Sequence, residues 1–126
     1  MKPVFLKCGD AVFYLTGGKK EEAVKCLAPS GGILDCSMSE GAGEKHLPIV
    51  ESDGSRITVR VGSIEHPMTQ EHSIQWVFLE TEKGGQFAYL DADEKPLAEF
   101  TLSKGDKALA AYAYCNLHGF WKTEIK

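Results

Sequence analysis

From Arg56 onward, apolar and polar residues alternate along the chain. Arg56-Ile57-Thr58-Val59-Arg60-Val61 puts Ile57, Val59 and Val61 on one face and Arg56, Thr58 and Arg60 on the other, the two-residue period of a half-buried strand. Ser73-Ile74-Gln75-Trp76-Val77-Phe78-Leu79-Glu80 repeats the pattern with a more apolar end, and Gly84-Gly85 predicts a turn into Gln86-Phe87-Ala88-Tyr89-Leu90, hence a hairpin. Residues 97–102, 108–115 and 120–125 continue the series, separated by Lys95-Pro96, by Ser103-Lys104-Gly105-Asp106 and by a turn over 116–119. The alanines of 108–113 also suit a helix, which makes this strand the least determined of the set. No segment after Gly43 carries a helical period. Short strands at close spacing with Gly, Pro and Asp between them predict an all-β fold, an antiparallel β-sandwich.

The chain before this core is built differently. Gly17-Gly18, Ser30-Gly31-Gly32 and Gly41-Ala42-Gly43 cut it into pieces too short for a stable core of their own. Residues 1–37 read as a small appended lobe, 37–43 as its linker, and 38–126 as the main domain. With 126 residues there is room for one principal core. A charged fraction of 25% is that of an ordinary water-soluble protein, and no apolar run approaches the ~20 residues that cross a bilayer. Lys7, Asp10 and Lys19 interrupt the N-terminal stretch before a signal-peptide core could form, which points to the cytoplasm. Four cysteines are too few for a disulfide scaffold at this length, so they read as buried hydrophobes or metal ligands. A net charge of −4 argues against a nucleic-acid partner and means that an anionic substrate would need a local positive patch.

The nitrogen and sulfur donors change the picture further. The four histidines are His46, His66, His72 and His118, and Cys115 stands three residues before the last. Taken singly, a histidine is more often a surface or hydrogen-bonded core residue than a ligand, and a buried cysteine is often a small hydrophobe. Taken together, five donors exceed a structural zinc tetrahedron and point toward a five-coordinate redox metal, although imidazole suits iron, copper, nickel and zinc alike. His66 and His72, with Pro67 between them, fit a loop joining two strands, and Cys115 and His118 bracket a tight turn. Loops at one end of a sandwich can converge on one point. Glu44 and Lys45 before His46 are either a solvated charge pair or a mobile carboxylate and an anion-attracting ammonium beside the metal. Glu65 and Glu71 could orient an imidazole or stand exposed at strand ends. Trp121 and Lys122 read as packing and solubility residues unless they form the rim of the site.

The segments Glu44-Lys45-His46-Leu47-Pro48, Glu65-His66-Pro67-Met68, Glu71-His72-Ser73-Ile74 and Cys115-Asn116-Leu117-His118-Gly119-Phe120-Trp121-Lys122, in this order, resemble the superoxide reductase family of desulfoferrodoxin and neelaredoxin. The likeness runs from about residue 44 to the end. It implies an immunoglobulin-like β-sandwich whose loops hold one mononuclear non-haem iron, with His46, His66, His72 and His118 as equatorial ligands, Cys115 as the axial one and a sixth position open. The implied reaction reduces superoxide by one electron to hydrogen peroxide, taking up two protons and forming no dioxygen, a role in detoxification under oxidative stress. The resemblance gives Lys45 the task of attracting the anion and helping to deliver a proton. It gives Glu44 that of capping the ferric iron, and it suggests a homodimer or larger homo-oligomer. An axial thiolate pushes electron density onto iron, which suits this chemistry.

Residues 1–37 are similar to the desulforedoxin-like domain found in two-iron members of the family, with departures. Phe5 stands where the first thiolate of a Cys-x-x-Cys pair would be, before Cys8, and Cys26 has Lys25 and Leu27 beside it instead of a second cysteine. Two thiolates do not complete a four-cysteine iron site, so that centre is expected to be absent. A site built from Cys8, Cys26 and Cys36 with a water or carboxylate is the alternative. Without a relay iron, the catalytic iron is expected to be re-reduced directly by a donor such as rubredoxin. Two rival readings stand beside the reductase: a non-catalytic metal or electron-transfer module, which a closed four-ligand site with one histidine turned away would favour, and a dismutase.

Overall fold

The structure, a computed structural model, describes residues 2–38 and 43–126. It divides into two compact units, 1–35 and 36–126. The expected linker falls largely on 39–42, outside the described residues, and the Glu44 side chain also lies outside them.

The first unit is a three-stranded sheet with one helix. Strands β1 (Phe5–Cys8) and β2 (Ala11–Tyr14) form a hairpin, and β3 (Gly31–Ile33) pairs antiparallel on the other side of β1. Helix α1 (Lys20–Leu27) carries Glu21 and Glu22 in its first turn and Lys25 in its last, the sense that suits the helix dipole. No residue of α1 is buried, which explains why the sequence shows no apolar stripe there. Phe5 and Leu6, by contrast, are buried, and the Phe5 ring lies 5.1 Å from that of Tyr14.

The second unit is the sandwich. It comprises β4 (Cys36–Ser37), the single helical turn α2 (Gly43–His46), β5 (Pro48–Asp53), β6 (Arg56–Val61), β7 (Ile74–Thr81), β8 (Gly84–Tyr89), β9 (Leu97–Thr101), β10 (Ala108–Cys115) and β11 (Gly119–Glu124). One sheet has the order β4-β11-β10-β7-β8 and the other β5-β6-β9. All pairs are antiparallel except the short β4–β11 contact, which is parallel. Ile57, Val59, Val61, Ala98 and Phe100 of the smaller sheet join Ile74, Val77, Leu79, Ala111, Ala113 and Cys115 of the larger in one core. At ~25 cal/mol per Å² of apolar surface removed from water, this interlayer is the main stabilising term of the unit.

The structure corrects three expectations. The β7–β8 turn is Glu82-Lys83, and Gly84-Gly85 begin the next strand. Gly85 is required by packing, because a Cβ built there would lie 2.2 Å from Phe78 Cζ. Second, Pro48–Asp53 is a strand the alternation did not signal; it runs from buried Pro48 to exposed Asp53 along the sheet edge, with proline at its first residue, where no ladder donor is needed. Third, α2 is helical despite the expectation of no helix after Gly43, and one turn is too short to leave a period.

Strand β7 reads as more apolar than a half-buried strand because both of its faces are covered. Its second face carries Trp76 and Phe78, in ring contact with Tyr114 at 5.4 Å and Tyr112 at 5.8 Å. Between β7 and β10 the register slips, with Tyr114 opposite Trp76 but Cys115 opposite Ile74, so Gln75 is the extra residue of a bulge. The bulge lets Ile74 face the core although Val77 and Leu79 already define that face.

Candidate metal centre

Three segments meet at one end of the sandwich. Pro48, at the start of β5, pairs with Val61, at the end of β6, while Cys115 at the end of β10 pairs with both Ile74 and Gly119. The residues just outside these pairs are therefore gathered together: α2 with His46, the 62–73 loop with His66 and His72, and the 115–119 turn with Cys115 and His118. Gly119 closes that turn at φ +83°, a left-handed conformation that favours glycine.

The structure brings all five predicted donors together, each offering one ligand atom, and these atoms all lie within 4.8 Å of one another. Two nitrogens on opposite sides of a metal at about 2.1 Å would be roughly 4.2 Å apart, so the spread matches a single ion. The four imidazoles close a circuit of nearly equal sides: His46 to His66 4.8 Å, His66 to His72 4.7 Å, His72 to His118 4.9 Å and His118 to His46 4.8 Å. Each ring is turned 71–81° from its neighbours. His118 turns Nδ1 toward the group, 3.1 Å from His46 Nε2 and 3.9 Å from Cys115 Sγ. No histidine is turned away, as a closed four-ligand zinc module would require.

Hydrogen bonding tests whether a metal fits. His66 Nε2 and His72 Nε2 are buried with no hydrogen-bond partner. Buried polar atoms are rarely left so, and a cation is the partner that satisfies both. His66 Nδ1–H donates to the Pro67 carbonyl at 2.7 Å, which leaves Nε2 as the lone-pair nitrogen. Burial above all lowers the His66 pKa to about 4; the Pro67 carbonyl opposes this, and the neighbouring histidines add to it. The ring is thus neutral at pH 7, the form a metal takes. The His72 pKa is also lowered, first by burial and then by the charges of His118 and Lys45. Lys45 itself is exposed. It is thus a solvent-facing cation whose charge reaches the site.

Other residues sort differently from the sequence reading. Trp121 is more than packing: its ring stacks on His46 at 4.8 Å and 17°, and its Nε1–H donates to the His118 carbonyl at 3.1 Å. Lys122 lies instead 5.4 Å from the Tyr112 ring and 3.6 Å from Glu124. Glu65 and Glu71 are exposed, and the His66 Nδ1 acceptor is the Pro67 carbonyl, not a carboxylate. Cys8 is half-buried, and Cys26 and Cys36 are exposed.

The desulfoferrodoxin family model matches residues 38–124, nearly the whole of the sandwich unit and all five donors. The chain belongs to the desulfoferrodoxin family. The likeness extends beyond the sandwich: desulfoferrodoxin from Clostridium acetobutylicum is 38% identical over 118 residues, covering 93% of this chain and 90% of the relative. Superoxide reductase from Pyrococcus horikoshii is 38% identical over 101 residues, covering 67% of this chain and 88% of its own. The crystal structure of superoxide reductase from Treponema pallidum superposes with a TM-score of 0.83 at 36% identity, covering 98% of this chain and all of that one. Superoxide reductases of this family use a mononuclear iron as their catalytic centre, and the four histidines and Cys115 are positioned to bind a metal. Among the described residues no helix is long and apolar enough to cross a membrane.

Proposed function

We propose that the protein is a superoxide reductase, an oxidoreductase that converts superoxide to hydrogen peroxide with an electron from an external donor. The observation that carries this reading is the convergence of four imidazoles and one thiolate, two of the imidazole nitrogens otherwise orphaned, in a chain of this family. His46, His66, His72, His118 and Cys115 would hold one non-haem iron, which when bound supplies the single electron; with two protons, superoxide becomes hydrogen peroxide.

The chain's own residues prepare that step. The neutral His66 ring, with Nδ1 committed to Pro67, offers only Nε2. Cys115 is fully buried, so a metal-bound sulfur there would be poorly screened and its donor strength felt locally. Lys45 stands exposed, its charge reaching His72, and draws an anion toward the site in a protein whose net charge is −4. Water held at the Lys45 ammonium is the source we assign to the protons, and Glu44, its neighbour in α2, is the carboxylate we assign to the site once product has left. The first unit, with thiols only at Cys8 and Cys26, would carry no four-cysteine iron, so electrons come directly from a small donor such as rubredoxin. A cytoplasmic homodimer or larger homo-oligomer completes the reading.

Product stoichiometry tests it. The reduced, iron-loaded protein given superoxide should yield one hydrogen peroxide for each superoxide consumed and no dioxygen. One dioxygen per two superoxides would make it a dismutase instead.

A further inference from the structure

The two polypeptide segments that carry most of the donors are joined by one side chain. Asn116 lies next to Cys115 and two residues before His118, in the β10–β11 turn. Its Oδ1 accepts from the Ser73 backbone N–H at 3.0 Å, and its Nδ2 donates to the Glu71 carbonyl at 2.9 Å. Its own backbone N–H donates to the Ser73 carbonyl at 3.2 Å. Residues 71 and 73 flank His72, so the carboxamide grips the peptide on both sides of that ligand as a paired strand would. The amide orientation is fixed by its partners, because the reversed group would set donor against donor and acceptor against acceptor.

We propose that Asn116 is a positioning residue that holds His72 in register with Cys115 and His118, and so sets the geometry of the metal centre. The Asn116 backbone bond and the pairing of Cys115 with Ile74 anchor residues 73 and 74, on the far side of His72, and leave residue 71 to the side chain alone. The other polar groups near His72 are tied within the loop. The His72 N–H donates to Thr69 Oγ1 at 3.1 Å, and the His72 carbonyl accepts from Thr69 N at 2.9 Å. Those bonds shape the 62–73 loop but leave its distance from the 115–119 turn unset. Met68 Sδ accepts from Ile74 N at 3.3 Å and likewise stays on the loop's own side. Of the twenty side chains, a short carboxamide alone offers one donor and one acceptor on a planar fork of this reach. Aspartate would keep the acceptor for Ser73 and lose the donor, setting a negative oxygen against the Glu71 carbonyl. Alanine would lose both bonds. Loss of such an orienting partner commonly costs 10–100-fold in metal affinity.

This inference rests on the proposed iron site, and its test separates the two. Ferrous-iron affinity of the full chain, by chelator competition, and the visible spectrum of the oxidised iron-loaded protein would be compared for wild type, Asn116→Ala and Asn116→Asp. Circular dichroism of the metal-free proteins would establish that each variant folds. Asn116→Ala should bind iron 10–100-fold more weakly and show a shifted or broadened thiolate-to-iron band, with Asn116→Asp in between; a purely structural role would lower melting temperature and leave the band in place. If alanine prevents folding, aspartate carries the same test. Folded variants with wild-type affinity and an unshifted band would overturn the role of Asn116 while leaving the site intact. A wild type that takes up no iron would defeat the reading of the site itself.

Discussion

We propose that Lys45 is the residue whose charge and position bear most directly on capture of the substrate. It is exposed, adjoins His46 in α2, and its charge acts on His72, yet the chain as a whole carries −4. In the proposed reaction, superoxide approaching such a protein would be repelled at long range and attracted near this ammonium. Lys45→Ala should therefore slow the second-order reaction by about 10-fold at low salt and flatten its ionic-strength dependence. A rate that keeps its wild-type value and salt slope would remove the steering role. The donor set itself was legible in the sequence, because four histidines and one well-placed cysteine leave few combinations. The residues that hold those donors were not legible. Asn116 carries no signal of its own and Trp121 reads as packing unless it forms the rim; only the fold sets one across His72 and the other against His46. The His66 partner was hidden for a related reason: a backbone carbonyl, that of Pro67, carries no residue-type signal.

At the scale of elements, period-two alternation located β6, β7, β9 and β10 closely, since each has one face in the interlayer core, and β11 as well, which buries Phe120 and Trp121. Ala108–Cys115 is a strand despite its alanines: it lies between β11 and β7, and small residues let neighbouring aromatics close over it. The expected position of the β7–β8 turn lies two residues late, because Gly85 serves packing under Phe78 and Gly84, at φ +156°, begins the next strand. That turn is instead held by Asp106, whose Oδ1 accepts from Lys83 N at 3.1 Å and Lys107 N at 2.8 Å. The Thr81 hydroxyl first of all, and then these backbone donors, hold its carboxyl below the ordinary value of 3.8. Folding thus favours the ionised form. Its contribution is complete above the unfolded value and is lost as pH falls through the lower folded one. Asp106→Asn should melt below wild type at neutral pH, with the gap closing as the metal-free proteins are acidified below about pH 3.8. A gap that stays constant with pH would show that the charge of Asp106 is irrelevant to the turn.

For the whole molecule, the antiparallel sandwich places three connections at one end, and the site follows from that topology. Its donors come from α2, the β6–β7 loop and the β10–β11 turn, separated by up to 72 residues in sequence yet within 4.8 Å in space. A centre of this kind exists only when the sandwich is closed, so metal binding and folding of the second unit are linked. The first unit, 1–35, keeps its own small sheet and helix with cysteines only at positions 8 and 26. It is the part of the chain whose purpose was least readable, because its sequence shows what a four-cysteine site would need and lacks, and no apolar stripe marks α1. The most direct test of the whole account is the visible spectrum of the iron-loaded protein before and after mild oxidation, with Cys115→Ser alongside. A broad thiolate-to-iron band that appears on oxidation, disappears in the variant and is unaccompanied by the bands of a four-cysteine iron is the result expected. A colourless protein that retains zinc and does not respond to oxidant would contradict it.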